Sequence, residues 1–514
     1  MKPFPIRGAV VITTLSLFVL ILVRNAWVCD DAYITMRVID NFVSGYGLRW
    51  NVAERVQAYT HPLWMLLISV FYFWTREAYF TVVGLSLALS IGAYCLLWRL
   101  ADSLMAGLLV SLLLFLSKGF VDFTTSGLET PLVYLLLVLW FGVMVREKNA
   151  TALRVLYGGL GAALAILTRL DLALLVLPAY GYLLFAAIQR RDLPWFQAMR
   201  LGIIGFLPLV AWLLFALLYY GFVLPNTAYA KLNTGIPNGD YLLQGLLYYL
   251  TAIAYDPVTL LGIAVAVAIG FVTGGIQRFI GIGIVLSLLY IWRIGGDFMA
   301  TRFLAPALFC AALLLATMRL PRVTLLVIAG CILLVGVTNP YSPIRSSVDY
   351  VGFGILPNGI ADERGFYYPF TGLVRINREE FTPQWKWIEY GRAVRAKAAA
   401  EGRQIVEFDT VGMYGYYAGP LVHVVDTEGL ADAFVAHLPA RDDWRIGHFQ
   451  RDLPTGYFAT LESGTPQFED KGLNEYYARL ALVTQGPLFD GARLREIVRF
   501  NFGQNDKFLP VAEK

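Results

Sequence analysis

The sequence predicts a polytopic α-helical membrane protein that continues into a water-soluble C-terminal α/β domain. Hydrophobic residues make up 58% of the 514 residues, and the mean hydropathy is +0.60. Charged residues make up 15%, against about 25% in an ordinary soluble domain. Residues 340–514 nevertheless hold 42 of the 78 charged side chains. This composition excludes a soluble enzyme, a disordered chain and a disulfide-rich secreted module.

Eleven apolar segments are candidates for transmembrane helices, because a span needs about 20 mostly apolar residues. They are residues 8–27, 78–98, 103–120, 129–145, 154–168, 170–188, 200–220, 257–273, 276–292, 303–318 and 321–338. A further segment, 61–75, is apolar but short and begins beside a proline. We assign that segment to the outer interface of the membrane.

The distribution of Lys and Arg sets the orientation of these spans. If 61–75 crossed the membrane, the basic clusters would alternate between sides, whereas without that crossing all of them are cytoplasmic. The clusters are Lys2 with Arg7, Arg99, Arg146 with Lys148 and Arg154, Arg190 with Arg191 and Arg200, Arg278, and Arg319 with Arg322. The sequence therefore predicts a membrane domain at 1–339 with interface helices in the outer loop 28–77. An extracytoplasmic soluble domain follows at 340–514.

The acidic residues of the membrane domain also point to the outer face. Eleven of the fourteen Asp and Glu residues before residue 340 are outside in this topology. Acidic residues contribute little to orientation during insertion, so the bias does not follow from the topology itself. Solvation of longer outer loops accounts for part of it, but not for carboxylates at the ends of spans.

The first outer loop places two adjacent carboxylates directly after the first span. Asp30 and Asp31 begin an amphipathic stretch of helical periodicity, which is expected to lie in the plane of the interface. A carboxylate at that depth is partly desolvated, which raises its pKa and favours action as a general base. The alternative is that one aspartate caps the helix that follows. Both roles are compatible, one for each aspartate.

Further charged and amide side chains lie at the outer ends of spans. They are Glu129 in TSGLETPL, Arg169 and Asp171 in TRLDL, Asn226 and Lys231 in LPNTAYAKL, and Asp297 and Arg302 in GGDFMATRFLAP. Arg169, Lys231 and Arg302 are the cations available to bind a phosphate at this face. The alternatives are structural ion pairs and snorkelling at span ends.

The C-terminal segment contains a pattern typical of a strand, a turn, a helix and a second strand. Ile405–Phe408 and Val422–Val425 read as short strands, and Asp409 and Asp426 follow their C-terminal ends. Ligands favour that end of such strands, although an aspartate there is also an ordinary turn residue. The pattern predicts a small α/β layer.

Several motifs are absent from the sequence. It contains no phosphate-binding loop of the G-x-x-x-x-G-K-[ST] type and no H-E-x-x-H or G-x-S-x-G. The glycines at 158–161 fall inside a span and are expected to serve helix packing. A net charge of +4 gives no reason to expect a nucleic-acid partner. No cofactor is predicted, and a requirement for a divalent cation stays open.

Eight motifs in order along the chain resemble a known family. They are DDAYI (30–34), YTHPLW (59–64), GLETPL (127–132), TRLD (168–171), LPNTAYAKL (224–232), GGDFMATRFLAP (295–306), DTVG (409–412) and VVDTEGLAD (424–432). The chain resembles glycosyltransferases of the GT-C superfold, most closely the arabinofuranosyltransferase B family. His61 stands where relatives often carry a small polar residue, and Leu170 where proline is common. These departures bear on the choice of substrate.

The resemblance implies that one aspartate of the Asp30–Asp31 pair is the general base on the acceptor hydroxyl. It also implies a polyprenyl-phosphate donor carrying a pentofuranose such as arabinofuranose, a glycan or glycoprotein acceptor, and a bacterial cytoplasmic membrane. The residues expected to bind the donor phosphate are Arg169, Lys231, Arg302 and Asn226. Those expected to support the acids and the acceptor are Glu129, Asp171, Asp297, His61 and Asp426.

Two other functions are considered beside this one. A transporter or flippase of lipid-linked glycans would need polar residues or broken helices at the middle of the membrane, whereas the acids here cluster at the outer ends of spans. A GT-C mannosyltransferase would share the predicted site and differ in its sugar.

Overall fold

A computed structural model of the chain describes residues 6–145, 150–232, 234–346, 354–376 and 383–510. Lys2, Arg146 and Lys148, on which the predicted orientation partly depends, lie outside these residues. The chain divides into two compact units. The first comprises Met1–Cys29, Val82–Leu209 and Asn238–Pro383, and the second comprises Asp30–Thr81, Val210–Pro237 and Gln384–Lys514.

These units do not follow the predicted boundary between residues 339 and 340. The second unit combines the C-terminal segment with the first outer loop and with residues 210–237, whereas residues 340–383 belong to the first unit. The division reflects compactness and not membrane insertion. The assignment of 1–339 to the membrane and of 340–514 to the outside therefore stays a prediction.

Helices dominate both units, and we number them in chain order. The earlier helices are α1 (Ile6–Asn25), α2 (Asp30–Val43), α3 (Pro62–Thr75), α4 (Tyr79–Leu100), α5 (Leu104–Leu116), α6 (Lys118–Phe123), α7 (Thr130–Val145), α8 (Thr151–Thr168), α9 (Leu172–Gln189), α10 (Trp195–Tyr219) and α11 (Asn226–Leu232). The later helices are α12 (Asn238–Tyr255), α13 (Pro257–Thr273), α14 (Gly275–Arg293), α15 (Ala305–Thr317), α16 (Arg322–Thr338), α17 (Glu363–Thr371), α18 (Lys386–Glu401), α19 (Val411–Ala418), α20 (Tyr457–Ser463), α21 (Lys471–Gln485) and α22 (Gly491–Asn501). Short 3-10 turns cover Arg302–Leu304, Val435–His437 and Asp506–Phe508.

Among the residues that the structure describes, six helices are long and apolar enough to cross a membrane, or seven if one bent pair counts as a span. The six are α1, α4, α8, α9, α10 and α14, and the pair is α12 with α13, bent by 106°. They confirm a polytopic helical membrane protein. The remaining predicted spans correspond to shorter apolar helices, namely α5, α7, α15 and α16, and segment 61–75 is the short helix α3. The number of eleven spans therefore stays a prediction.

Glycines allow close helix packing in the first unit. A Cβ on Gly159 of α8 would lie 2.7 Å from the hydroxyl oxygen of Tyr180 in α9. A Cβ on Gly283 of α14 would lie 2.2 Å from the backbone oxygen of Leu175 in α9. Larger side chains would separate these helices. The prediction that the glycines at 158–161 serve helix packing is confirmed.

The second unit contains the predicted strand–helix–strand segment. Strands β1 (Gln404–Glu407) and β2 (Val422–Val425) pair in parallel, with Gln404 opposite Val422, and α19 connects them. Helix α2, which the sequence predicts as an amphipathic helix, packs against α19 and α3. This arrangement brings the first outer loop to the sheet.

A buried arginine fixes α2 to this sheet. The guanidinium of Arg37 donates to the backbone oxygens of Trp50 at 2.8 Å, Gly415 at 2.6 Å and Val422 at 2.6 Å. The side chain also lies over the Trp50 ring, 4.2 Å from the ring centroid. Because a buried cation is costly unless its donors are satisfied, these contacts hold α2 at one position beside β2.

Candidate active site

Asp30, the first residue of α2, binds the beginning of a different helix. Its carboxylate accepts the backbone N–H of Gly412 at 2.9 Å and that of Met413 at 2.7 Å. Both belong to the first turn of α19, whose N–H groups have no partner within the helix. The expectation that an aspartate of this pair caps the helix it begins is therefore wrong for Asp30. It caps α19, because the packing of α2 on α19 brings those N–H groups to it.

The close approach at this cap depends on a glycine. A Cβ on Gly412 would lie 2.0 Å from the backbone oxygen of Asp30 and 2.5 Å from its carboxylate. Real Cβ atoms do not come this close to a backbone oxygen, so a side chain at residue 412 would force the two helix ends apart. The predicted motif DTVG thus has a structural reason for its glycine.

Burial gives Asp30 an unusual proton affinity. Desolvation raises the pKa of its carboxyl to about 8, and the charges of Asp31 and Asp409 act in the same direction. The two N–H groups of α19 oppose this rise only in part. Asp30 therefore holds a proton over much of the neutral range, and both of its carboxyl oxygens are bound by α19, so it is poorly placed to accept a proton from a substrate hydroxyl.

We call Asp30, Asp31, Asp409 and Glu428 the acidic cluster, because the charges of Asp31 and Asp409 act on both Asp30 and Glu428. Burial raises the pKa of Glu428 well above its ordinary value, and the charges of Asp426, Asp31 and Asp409 raise it further. The ammonium group of Lys231 acts in the opposite direction. Asp31 is half-buried and Lys231 is exposed, so solvent or a ligand can reach this side of the cluster.

The loop after β2 is held rigidly beside the cluster. Asp426 is fully buried, and its carboxylate accepts the N–H groups of Glu428 at 3.0 Å and of Ala431 at 2.8 Å. The amide nitrogen of Asn226 donates to the backbone oxygens of Gly429 at 2.7 Å and Asp432 at 3.1 Å. Both side chains thus position Glu428. Phosphate binding by Asn226 and acceptor binding by Asp426 stay predictions.

His61 and Lys231 complete the predicted residues of the second unit. The Nε2 atom of His61 lies 2.8 Å from the hydroxyl oxygen of Thr35 in α2, and the imidazole is buried. His61 therefore links α2 to the start of α3. Lys231 lies near Glu428 and also near His448, whose pKa is lowered to about 3 by burial first and by nearby Arg445 and Lys231.

The first unit brings five of the predicted residues into one ion-pair network, which we call the Glu129 network. Its members are Glu129, Arg169, Asp171, Asp297 and Arg302. Arg169 pairs with Glu129 at 3.3 Å and with Asp171 at 2.7 Å, and Arg302 lies 3.5 Å from both Glu129 and Asp297. The network has three carboxylates for two guanidinium groups. A phosphate bound by Arg169 or Arg302 would compete with these carboxylates, so phosphate binding by them stays a prediction.

An aromatic ring supports the same network. The guanidinium carbon of Arg169 lies 4.7 Å from the centroid of the Phe303 ring, and that of Arg302 lies 5.7 Å from it. Arg302 begins the 3-10 turn that precedes α15, and Asp171 precedes α9 directly. The sequence placed these residues at one level of the membrane but gave no sign that they meet around Glu129.

Comparison with known sequences tests the resemblance to arabinofuranosyltransferases. No protein-family profile matches the chain. The chain is similar to two curated arabinofuranosyltransferases. One is the terminal beta-(1->2)-arabinofuranosyltransferase of Mycobacterium tuberculosis, 27% identical over 84% of this chain and 82% of the relative. The other is the protein of the same name from Corynebacterium glutamicum, 28% identical over 86% of this chain and 75% of the relative. These two relatives confirm the resemblance.

Sequence reasoning missed Glu428, which stands two residues after Asp426. An acidic residue in a Gly-containing turn reads as ordinary loop, and its only signal was its place in VVDTEGLAD. The position of Glu428 depends on the contacts of Asn226 and Asp426, and these form only in the folded chain.

A second buried network in the first unit was also missed. Lys118 lies 2.5 Å from Asp122 and 3.0 Å from Asp362, and Arg364 lies 2.8 Å from Asp122. All four side chains are almost fully buried. Two cations balance two anions here, which is typical of a structural network. The signal was Lys118 within the apolar segment 103–120, where a charge needs a partner.

Within the described parts of the chain, no group of three or more His, Cys, Asp or Glu side chains is arranged to hold a metal ion. A requirement for a divalent cation stays an open question from the sequence.

Proposed function

We propose that this chain is a membrane glycosyltransferase that transfers arabinofuranose from a polyprenyl-phosphate donor to a glycan or glycoprotein acceptor outside the cytoplasmic membrane. Two relatives that bear the name of an arabinofuranosyltransferase support the sugar and the reaction. They favour arabinofuranose over mannose. The GT-C type and the lipid donor rest on the sequence motifs and on chemistry.

The observation that carries this proposal is the unequal environment of two adjacent aspartates. Asp30 is buried and binds two N–H groups of α19, whereas Asp31 is half-buried and its charge acts on Glu428, which the charge of Lys231 also reaches. Asp30, which is anchored and protonated, is suited to holding α2 and α19 together. Asp31, which remains accessible, is suited to accepting a proton from a substrate.

The proposed reaction is a displacement at the anomeric carbon of the donor sugar. The acceptor hydroxyl oxygen forms the new glycosidic bond, and the bond between the anomeric carbon and the phosphate oxygen breaks. The hydroxyl proton passes to the carboxylate of Asp31, and the electron pair of the broken bond leaves with polyprenyl phosphate. Of the three predicted phosphate-binding cations, Lys231 belongs to the second unit, and its ammonium group can stabilise the charge developing on that leaving group.

The choice of a lipid-linked donor follows from the proposed location. Sugar nucleotides are not available outside the cytoplasmic membrane, so an enzyme working there needs a sugar carried by a lipid. We propose the eleven-span topology with the C-terminal α/β domain outside. A reporter enzyme that is active only after export, fused after Lys514, tests this orientation. Activity of a cytoplasm-only reporter at that position would refute the orientation and the case for a lipid donor.

Product formation by purified protein tests the function itself. The full chain in lipid nanodiscs is incubated with polyprenyl-phosphoryl arabinofuranose and an arabinofuranose oligosaccharide, and mass spectrometry follows the addition of one pentose. The matching mannosyl donor serves as the control and should give little product. A chain in vesicles that moves the lipid-linked sugar across the bilayer without forming product would instead be a flippase.

A further inference from the structure

A cavity of about 430 Å³ opens at the carboxyl end of β1 in the second unit. Its volume falls within the range of small-molecule sites, about 300–1,000 Å³. The side chains that could contact a ligand include Phe408, Asp409, Thr427, Arg441, Gln450 and Asp452. The carboxyl ends of parallel strands are a common place for ligands in α/β layers.

Backbone and side-chain bonds preform the walls of this cavity. The N–H of Arg451 donates to the backbone oxygen of Thr427 at 2.9 Å, and the N–H of Arg441 donates to that of Gln450 at 2.8 Å. The buried guanidinium of Arg451 donates to the backbone oxygen of Glu428 at 2.6 Å and to that of Leu438 at 3.2 Å. The cavity is therefore built before any ligand arrives, which lowers the entropic cost of binding.

The cavity also has a fixed aromatic side. The ring of Phe408 stacks on that of Tyr414, with centroids 3.9 Å apart and planes 9° from parallel. Tyr414 belongs to α19, the helix that Asp30 caps. Aromatic rings with nearby polar groups suit ligands that have both C–H and hydroxyl groups on their surface.

The charges around the cavity favour a neutral ligand. Three carboxylates line it, from Glu407, Asp409 and Asp452. Of its two cations, Arg451 is occupied by backbone oxygens, and Arg441 pairs with Asp443 at 3.1 Å and with the lining carboxylate of Asp452 at 3.9 Å. A phosphate would be repelled here, because three carboxylates line the cavity and its two arginines already have partners. The hydroxyl groups of a neutral sugar can form hydrogen bonds with the carboxylate, amide and guanidinium groups of the cavity.

The cavity borders the acidic cluster, because Asp409 belongs to both. Thr427, which also lines the cavity, is the direct neighbour of Glu428 in the chain. We propose that this cavity is a subsite for the neutral glycan acceptor, which holds the sugar units next to the reacting hydroxyl. This inference rests on the proposed function, whose acceptor it locates.

Direct binding to the full chain in nanodiscs, without donor, tests the subsite. The probes are a neutral arabinofuranose oligosaccharide and, separately, polyprenyl phosphate. Gln450→Ala should raise the Kd for the oligosaccharide about two- to tenfold, the effect of one lost hydrogen bond, and leave that for polyprenyl phosphate unchanged. Arg441→Ala is the second variant. Gln504→Ala, at an exposed glutamine outside the cavity, is the matched control and should change neither Kd.

Two results would overturn the subsite. Oligosaccharide binding that is unchanged in both cavity variants would remove the glycan from this cavity. Weakened binding of polyprenyl phosphate alone would assign the cavity to the donor. The proposed function fails separately: a chain that binds the oligosaccharide through Gln450 but forms no product from the arabinosyl donor would keep the subsite and lose the activity.

Discussion

The carboxylate of Asp30 accepts the backbone N–H of Gly412 at 2.9 Å, although the two residues are 382 positions apart in the chain. This bond joins the start of α2 to the start of α19, and α19 connects the strands whose carboxyl ends carry Asp409 and Asp426. This cap between distant segments is therefore one of the contacts that fix the geometry of the acidic cluster.

The first prediction concerns the fit at this cap. Gly412→Ala would place a Cβ 2.0 Å from the backbone oxygen of Asp30, and both backbones would have to move. We expect a loss of about 1–3 kcal/mol of stability, as for overpacked sites. Thermal unfolding in detergent measures it. Gly239→Ala is the control, because a Cβ there has no neighbour within 4 Å. Equal melting temperatures for both variants would contradict the fit described here.

The second prediction is a fall in stability between pH 7 and pH 9. Burial raises the pKa of Asp30 to about 8 and that of Glu54 to about 8, with the charge of Asp432 adding to the rise at Glu54. Up to about pH 8 the folded state holds protons that the unfolded state has lost, so stability falls as pH rises, by up to about 1.4 kcal/mol per pH unit for each group, and the fall levels off as these carboxyls ionise above pH 8. Below this window the buried His423 and the half-buried His448, whose pKa values are lowered to about 3, act in the opposite direction.

Melting temperatures in detergent across this pH range test the sign. Glu54→Gln should flatten the fall, because it removes one of the carboxyls that burial keeps protonated in the folded state. Asp452→Asn, at an exposed carboxylate, should leave the slope as it is. A melting temperature that rises from pH 7 to pH 9 would show that these carboxyls are ionised in the folded protein.

The third prediction concerns the Glu129 network. Glu129 is almost fully buried between Arg169 and Arg302, so Glu129→Gln removes the charge that both guanidinium groups share. We expect a loss of about 3 kcal/mol or more, because an uncompensated buried charge remains. The exposed pair of Asp102 and Arg319 provides the control, where Asp102→Asn should cost less than about 1 kcal/mol. Similar losses for the two variants would mean that the network does not stabilise the fold.

Much of the fold follows from the sequence for physical reasons. Long apolar runs such as 8–27 and 78–98 can be stable only as helices in a membrane, and the structure has helices there. The pattern of a strand, a turn, a helix and a second strand at 405–425 likewise predicted the parallel strands and the helix between them. Shorter apolar helices such as α5 and α16 meet the composition of a span but not its length, and hydropathy alone does not separate these two properties.

The sequence could nominate candidate residues for the site but could not predict their contacts. Adjacent carboxylates after a span predict a catalytic pair, and their adjacency predicts that the two side chains face different surroundings. The partner of Asp30 was not predictable, because it lies in a helix far along the chain. Glu428 and the meeting of Arg169 with Arg302 around Glu129 depend on tertiary packing in the same way.

The measurement that tests the central claim most directly is the kcat of Asp31→Asn in the purified transferase assay. Replacement of the general base by an amide of the same size should lower kcat by about 10²–10⁴, while the protein folds and binds polyprenyl phosphate as before. Asp30→Asn is the comparison. It weakens a cap worth about 1 kcal/mol, so we expect a lower melting temperature and a smaller loss of kcat than in Asp31→Asn. A near-normal kcat for Asp31→Asn would place the base at another residue and contradict the account.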